Sequence, residues 1–162
     1  MVTTETGHGV EEKESIFRRT DGGQFGEAVR TEKTAQMKDG QAISNVVRYE
    51  RDFTGRLQAA SQEVTTTVKQ ADGSEVIQVN QYGFADGKAR TDGGSQALKE
   101  QQNIIRKTNA DGTVSETVSV RRPSLSDGNR LSDPQVISQT VCAGQCTAKP
   151  TGEDKPAAAA KP

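Results

Sequence analysis

The sequence predicts an all-β fold, an elongated antiparallel meander built from repeated hairpins. Three observations point there. Glycine-centred turn signals punctuate the chain at even intervals, the stretches between them alternate with a period of two, and the turns recur at an offset of 32 to 33 residues.

The turn signals are Asp21-Gly22-Gly23, Asp39-Gly40, Thr54-Gly55, Asp72-Gly73, Asp86-Gly87, Asp111-Gly112 and Asp127-Gly128. Glycine accepts positive φ without a Cβ penalty, and an aspartate carboxylate can accept from the backbone that follows it, so Asp-Gly suits a tight hairpin. Gly23, Gly55 and Gly87 are 32 residues apart; Asp39 and Asp72 are 33 apart, and Asp111 follows 39 later. At this offset Phe17–Phe25 lies over Tyr49–Leu57, with an aromatic start, a third-position Arg, a seventh-position Gly and an apolar end in both. A degenerate third copy runs from Gln81 to Ala89. One repeat therefore reads as two strands and two turns, a unit that cannot bury its apolar side alone and must stack on its neighbours.

The strands follow in order. Ile43–Tyr49, Val64–Val68, Val76–Tyr82, Val114–Val120 and Val136–Val141 combine β-branched residues with alternation. In the fourth, Val114, Val118 and Val120 share one face while Ser115, Thr117 and Ser119 take the other. Short turns between successive strands imply antiparallel pairing, with one modestly apolar face. The segment 95–107 admits two readings. Ser95 could cap a helix whose stripe is Ala97, Leu98, Gln101, Ile104 and Ile105, but the surrounding β array favours a strand.

Both ends differ from the middle. Residues 147–162 hold three of the five prolines and no large apolar residue, which predicts a disordered Pro/Ala/Lys tail, and Met1–Glu14 is equally poor in core residues and is expected to be flexible. The expected organisation is thus a flexible segment 1–14, a β-repeat domain 15–146 and a tail 147–162. Leu, Ile, Val and Phe supply only 28 of 162 residues, so the core must be thin; 21 basic against 22 acidic residues leave a net charge of −1, so self-repulsion does not force the chain open.

The same charge balance gives no clustered basic face for nucleic acid; the doublets Arg18-Arg19 and Arg121-Arg122 read as solvated strand or turn positions. No apolar run approaches the ~18 residues that a membrane-spanning helix needs. Met1–Glu14 also lacks the basic start and apolar stretch of a secretory signal, so the expectation is either a protein that is not exported or a processed or truncated chain.

Tyr49-Glu-Arg-Asp52-Phe-Thr-Gly55-Arg56-Leu57 resembles the aromatic-x-x-Asp-x-x-Gly-Arg-Leu register of the Rhs/YD-repeat family, and Asp127-Gly-Asn-Arg-Leu131 echoes it. The resemblance covers about nine residues in one copy, the repeat is longer than that family's usual unit, and the Tyr-Asp doublet that names the family is missing. It implies a secreted β-repeat role, since such proteins build extracellular shells and surfaces from hairpins, and it carries over no site residue.

Chemistry finds few candidates. His8 is the only histidine and sits in the segment expected to be mobile, where it cannot be held within the ~3 Å that proton transfer demands. Two Cys and one His fall short of the about four ligands of a closed zinc site. The Asp-Gly turns form neither an EF-hand loop nor a Gly-Gly-x-Gly-x-Asp array. Carboxylates are numerous enough for a hydrolase pair, but no spacing singles one out, and no Trp with only Tyr49 and Tyr82 weakens a sugar site. No catalytic, metal or cofactor residue is therefore assigned.

Cys142-Ala-Gly-Gln-Cys146 is the one constellation left. In extended chain the two Cα atoms would lie about 13 Å apart, beyond disulfide reach, so a bridge requires a bend that Ala143-Gly144 can supply. A structural disulfide is the leading expectation, ahead of free or intermolecular thiols and of a redox or metal role. The function expected is a non-catalytic structural or interaction module, extracellular or at a cell surface, with a protein or extracellular-matrix partner or with copies of itself. The alternatives are a partner-dependent subunit of a larger β-assembly or filament and, more remotely, a carboxylate-dependent hydrolase.

Overall fold

A computed structural model describes residues 2–6, 9–19, 23–52, 54–84, 96–124, 128 and 130–143, with backbone alone for 2–6, 84 and 96. These residues form strands β1 (Val2–Thr6), β2 (Gly9–Arg19), β3 (Phe25–Lys38), β4 (Gln41–Arg51), β5 (Leu57–Lys69), β6 (Glu75–Phe84), β7 (Gln96–Thr108), β8 (Thr113–Arg121), β9 (Pro123–Ser124), β10 (Arg130–Leu131) and β11 (Gln135–Ala143). No helix occurs among them. Nine strands make one sheet in the order β1-β2-β3-β4-β5-β6-β7-β8-β11, antiparallel at every interface, and β9 with β10 forms a small ribbon on the β8–β11 connection. At ~4.8 Å per step the sheet is roughly 38 Å wide.

The meander is the predicted one, and segment 95–107 is strand. Its two isoleucines decide this. Ile104 faces Ile77 and Ile105 faces Val76, so each finds an apolar cross-strand partner that a helix in this position would forfeit. The array also starts earlier than the expected boundary at residue 15, because Val10–Glu14 pairs in register with Thr31–Ala35 of β3 and Val2–Thr6 pairs with Gly9–Lys13. Thr and Val supply strand propensity there even though large apolar residues are scarce. The expected C-terminal tail, 147–162, lies outside the described residues.

The two ends of the sheet are built differently. At one end, Lys38 faces Gln41 across Asp39 (φ 52°) and Gly40 (φ 76°), a two-residue hairpin in which both central residues are left-handed. At the same end, Gln70–Ser74 and Asn109–Thr113 are three-residue loops. The Gly73 and Gly112 N–H groups donate to the carbonyls of Gln70 and Asn109 at 3.0 Å, and both glycines sit at φ 80°. Asp52–Arg56 repeats this geometry at the opposite end, with Gly55 at φ 81°. Gly23, 32 residues before Gly55, holds φ 79°.

A second periodicity is structural. Every other interface carries a β-bulge, which leaves Ala28 of β3, Ala60 of β5, Lys99 of β7 and Ile137 of β11 without a direct partner. The rings of Phe17, Tyr49 and Tyr82 stand at the first paired position beyond the bulge, opposite Glu27, Ala59 and Leu98. One repeat is thus a hairpin plus a bulge, and bulges sharpen the local twist.

No second layer covers this sheet among the described residues. Val120, 5% exposed, is the only buried hydrophobic residue there, and Ser74 and Glu116 are the only buried polar ones. Stability therefore rests on ladder bonds and cross-strand pairs, each worth about 0.2–1 kcal/mol, summed over eight interfaces. Apolar residues do not keep to one face. Consecutive apolar residues in Val76-Ile77 and Ile104-Ile105 necessarily point to opposite sides, so one strip (Ile43, Val47, Val64, Val68, Val76, Ile105) lies on a first face and another (Ile77, Val79, Ile104, Val118, Val120) on the second.

Candidate functional site

The candidate site is the pair of sheet faces, since the strands line up polar side chains in rows across them. On the first face, Gln62 Nε2 donates to Asn45 Oδ1 at 2.6 Å, and Gln101 Nε2 donates to Asn80 Oδ1 at 3.0 Å from the directly facing position. Gln78 and Asn103 continue the amide row as a facing pair. Beside it, the Tyr49 hydroxyl donates to Glu32 Oε2 at 3.1 Å, and the Arg30 guanidinium lies 4.6 Å from the Tyr49 ring centroid. Burial, reinforced by the bond to Glu32, pushes the Tyr49 phenol above its ordinary range.

The second face carries charges. Arg106 Nε donates to Glu116 Oε2 at 2.6 Å and its Nη1 lies 3.6 Å from Glu75 Oε2, so one guanidinium bridges β6, β7 and β8. Glu100 accepts from Gln102 Nε2 at 2.7 Å and from Arg122 at 2.8 Å, and the Gln102 bond leads in holding its carboxyl below the usual carboxylate range. Between these groups and β3, a depression of about 580 Å³ is lined by Thr31, Val46, Arg48, Glu63, Gln81 and Lys99, among others. Its floor includes Gly83, over which the Lys99 side chain folds: a Cβ at Gly83 would stand 2.7 Å from Lys99 Cε.

The turn carboxylates are occupied structurally. Asp72 Oδ1 accepts from the Ser74 hydroxyl at 2.6 Å and its N–H at 3.0 Å; Asp111 Oδ1 accepts from the Thr113 hydroxyl at 2.6 Å and its N–H at 2.9 Å. Asp52 Oδ1 accepts from the Thr54 hydroxyl at 2.7 Å and from the Thr54 and Arg56 N–H groups. In all three the side-chain hydroxyl bond is the leading cause that holds the carboxyl below its ordinary value. Gly128 is left-handed at φ 59°, as a turn position requires. Asp21, Gly22, Asp86, Gly87, Asp127, His8 and Cys146 lie outside the described residues. Cys142 is the penultimate residue of β11, opposite Val114, so the expected bridge has one described end.

Sequence reasoning missed the bulges, the amide row and the Arg106–Glu116 bridge. The first leaves almost no local signal, whereas the repeated Gln/Asn positions on β6 and β7 were visible and could have suggested a polar ladder. Among the described residues no group of three or more His, Cys, Asp or Glu is placed to hold a metal ion, and no helix is long and apolar enough to cross a membrane. Comparison with protein-family models, with curated proteins and with solved structures finds no significant match.

Proposed function

We propose that this chain is a non-catalytic structural or interaction β-repeat module of an exported or cell-surface protein. The observation that carries this reading is that the described residues form a single layer in which Val120 is the one buried hydrophobic residue, so that among them neither face of the sheet is covered. The carboxylates with perturbed titration sit in turns or in ion pairs, satisfied by Thr, Ser, Gln and Arg. The segment that resembles the Rhs/YD-repeat register supports a scaffold role as well. It runs from the end of β4 to the start of β5, where Asp52 organises the turn, Gly55 takes the left-handed position and Tyr49 packs under Arg30.

The faces supply the test. Ile77→Lys with Val118→Lys alters only the second face, and Val64→Lys with Ile105→Lys alters only the first. A cell-surface or matrix protein bound by the full chain should lose affinity at least tenfold for one pair and not for the other, with the far-UV β signal retained. Turnover of any ester, glycoside or peptide in a substrate panel, abolished by carboxylate-to-amide changes, would refute the reading in favour of a hydrolase.

A further inference from the structure

We propose that β11 is a self-association edge, at which a second copy of this chain adds its own β11 across a two-fold axis to continue the antiparallel sheet. The proposal rests on the interaction-module reading and names the partner. Three features carry it.

The first is exposure. Among the described residues β11 is the last strand of the sheet and pairs with β8 alone, and Val136, Ile137 and Val141 are 58%, 62% and 67% exposed. The second is charge. Alone among the nine strands of the sheet, Gln135–Ala143 (QVISQTVCA) contains no Asp, Glu, Lys or Arg, the residues that normally keep edges apart. Antiparallel pairing of a strand with its own copy sets the same residues against each other twice, and only an uncharged strand does so in every register without like-charge repulsion. Pro134 and the bulge at Ile137 blunt the start of the strand and leave Ser138–Ala143 regular.

The third is direction. With nine strands alternating, β1 and β11 run the same way, so stacking copies by translation would join β11 to the neighbouring β1 in parallel, unlike every interface of this sheet. Pairing β11 with β11 about a two-fold perpendicular to the sheet is antiparallel by symmetry. The opposite edge is the shorter one: β1 has five residues, including Glu5.

Sedimentation equilibrium of the full chain over the micromolar to sub-millimolar range tests this. The wild type should form a dimer. Val141→Lys should weaken association at least tenfold, and so should Val141→Glu, each with an unchanged far-UV spectrum because the side chain is exposed; mixing the two variants should restore a heterodimer. A wild type that stays monomeric, or a dimer indifferent to both substitutions, overturns the proposal. Either result leaves the module reading intact, since that reading is tested on the faces and by turnover.

Discussion

Arg106 on β7 faces Glu116 on β8, its Nε donating to Oε2 at 2.6 Å, and Glu116 at 7% exposure is the most buried charged residue described. The pair joins two strands that have little apolar burial to hold them. Removing the cation leaves a desolvated carboxylate, so Arg106→Ala should lower unfolding free energy by about 1–3 kcal/mol, and Glu116→Gln, which keeps an acceptor, by about 1 kcal/mol or less. Urea titrations followed by circular dichroism measure both; a loss for Arg106→Ala no larger than that for Glu116→Gln would show that stranding the Glu116 carboxylate adds no penalty.

Glycines at two kinds of position should behave differently. Gly73 and Gly112 hold φ 80° with nothing within 4 Å of a built Cβ, so alanine there is penalised by backbone conformation alone, at about 1–2 kcal/mol each. Gly83 sits in β6, where an added methyl meets the flexible Lys99 side chain, Cε at 2.7 Å and Cγ at 3.3 Å. Gly83→Ala should change stability by less than about 0.5 kcal/mol while displacing Lys99 from the depression. Thermal melts of the three variants compare them directly.

Acid should loosen the turns before the sheet. Asp52, Asp72 and Asp111 have depressed carboxyl pKa values in the folded chain, led by hydroxyl bonds from Thr54, Ser74 and Thr113. A depressed pKa means the folded state favours the ionised form, so the contribution is complete above the unfolded carboxylate value of about 3.9 and is lost as pH falls through the lower folded values. The urea midpoint should therefore hold steady from neutrality to about pH 5 and decline below about pH 4. Ser74→Ala should move the Asp72 titration, read by NMR, up toward the ordinary value.

The Cys142–Cys146 bridge expected from the sequence has a mass signature. Chain isolated without reductant should be lighter by two hydrogens than the reduced chain and should take up no iodoacetamide until reduced. Two thiols that alkylate at once in chain from an oxidising compartment would exclude the bridge.

Hairpin positions, strand character and the antiparallel meander were legible in the sequence, because a turn such as Asp39-Gly40 is decided by the conformational freedom of its own few residues. Alternation likewise located β8 from Val114, Val118 and Val120 alone. Tertiary structure decided what local pattern cannot. Which residue of β3, β5, β7 and β11 bulges, whether Ile104 and Ile105 belong to a helix or a strand, and that Arg106 meets Glu116 depend on register between strands distant in sequence. Register also splits the apolar residues between two faces, and it leaves the uncharged β11 at an edge. Pairing energies are collective and long-range, whereas turn preferences are local.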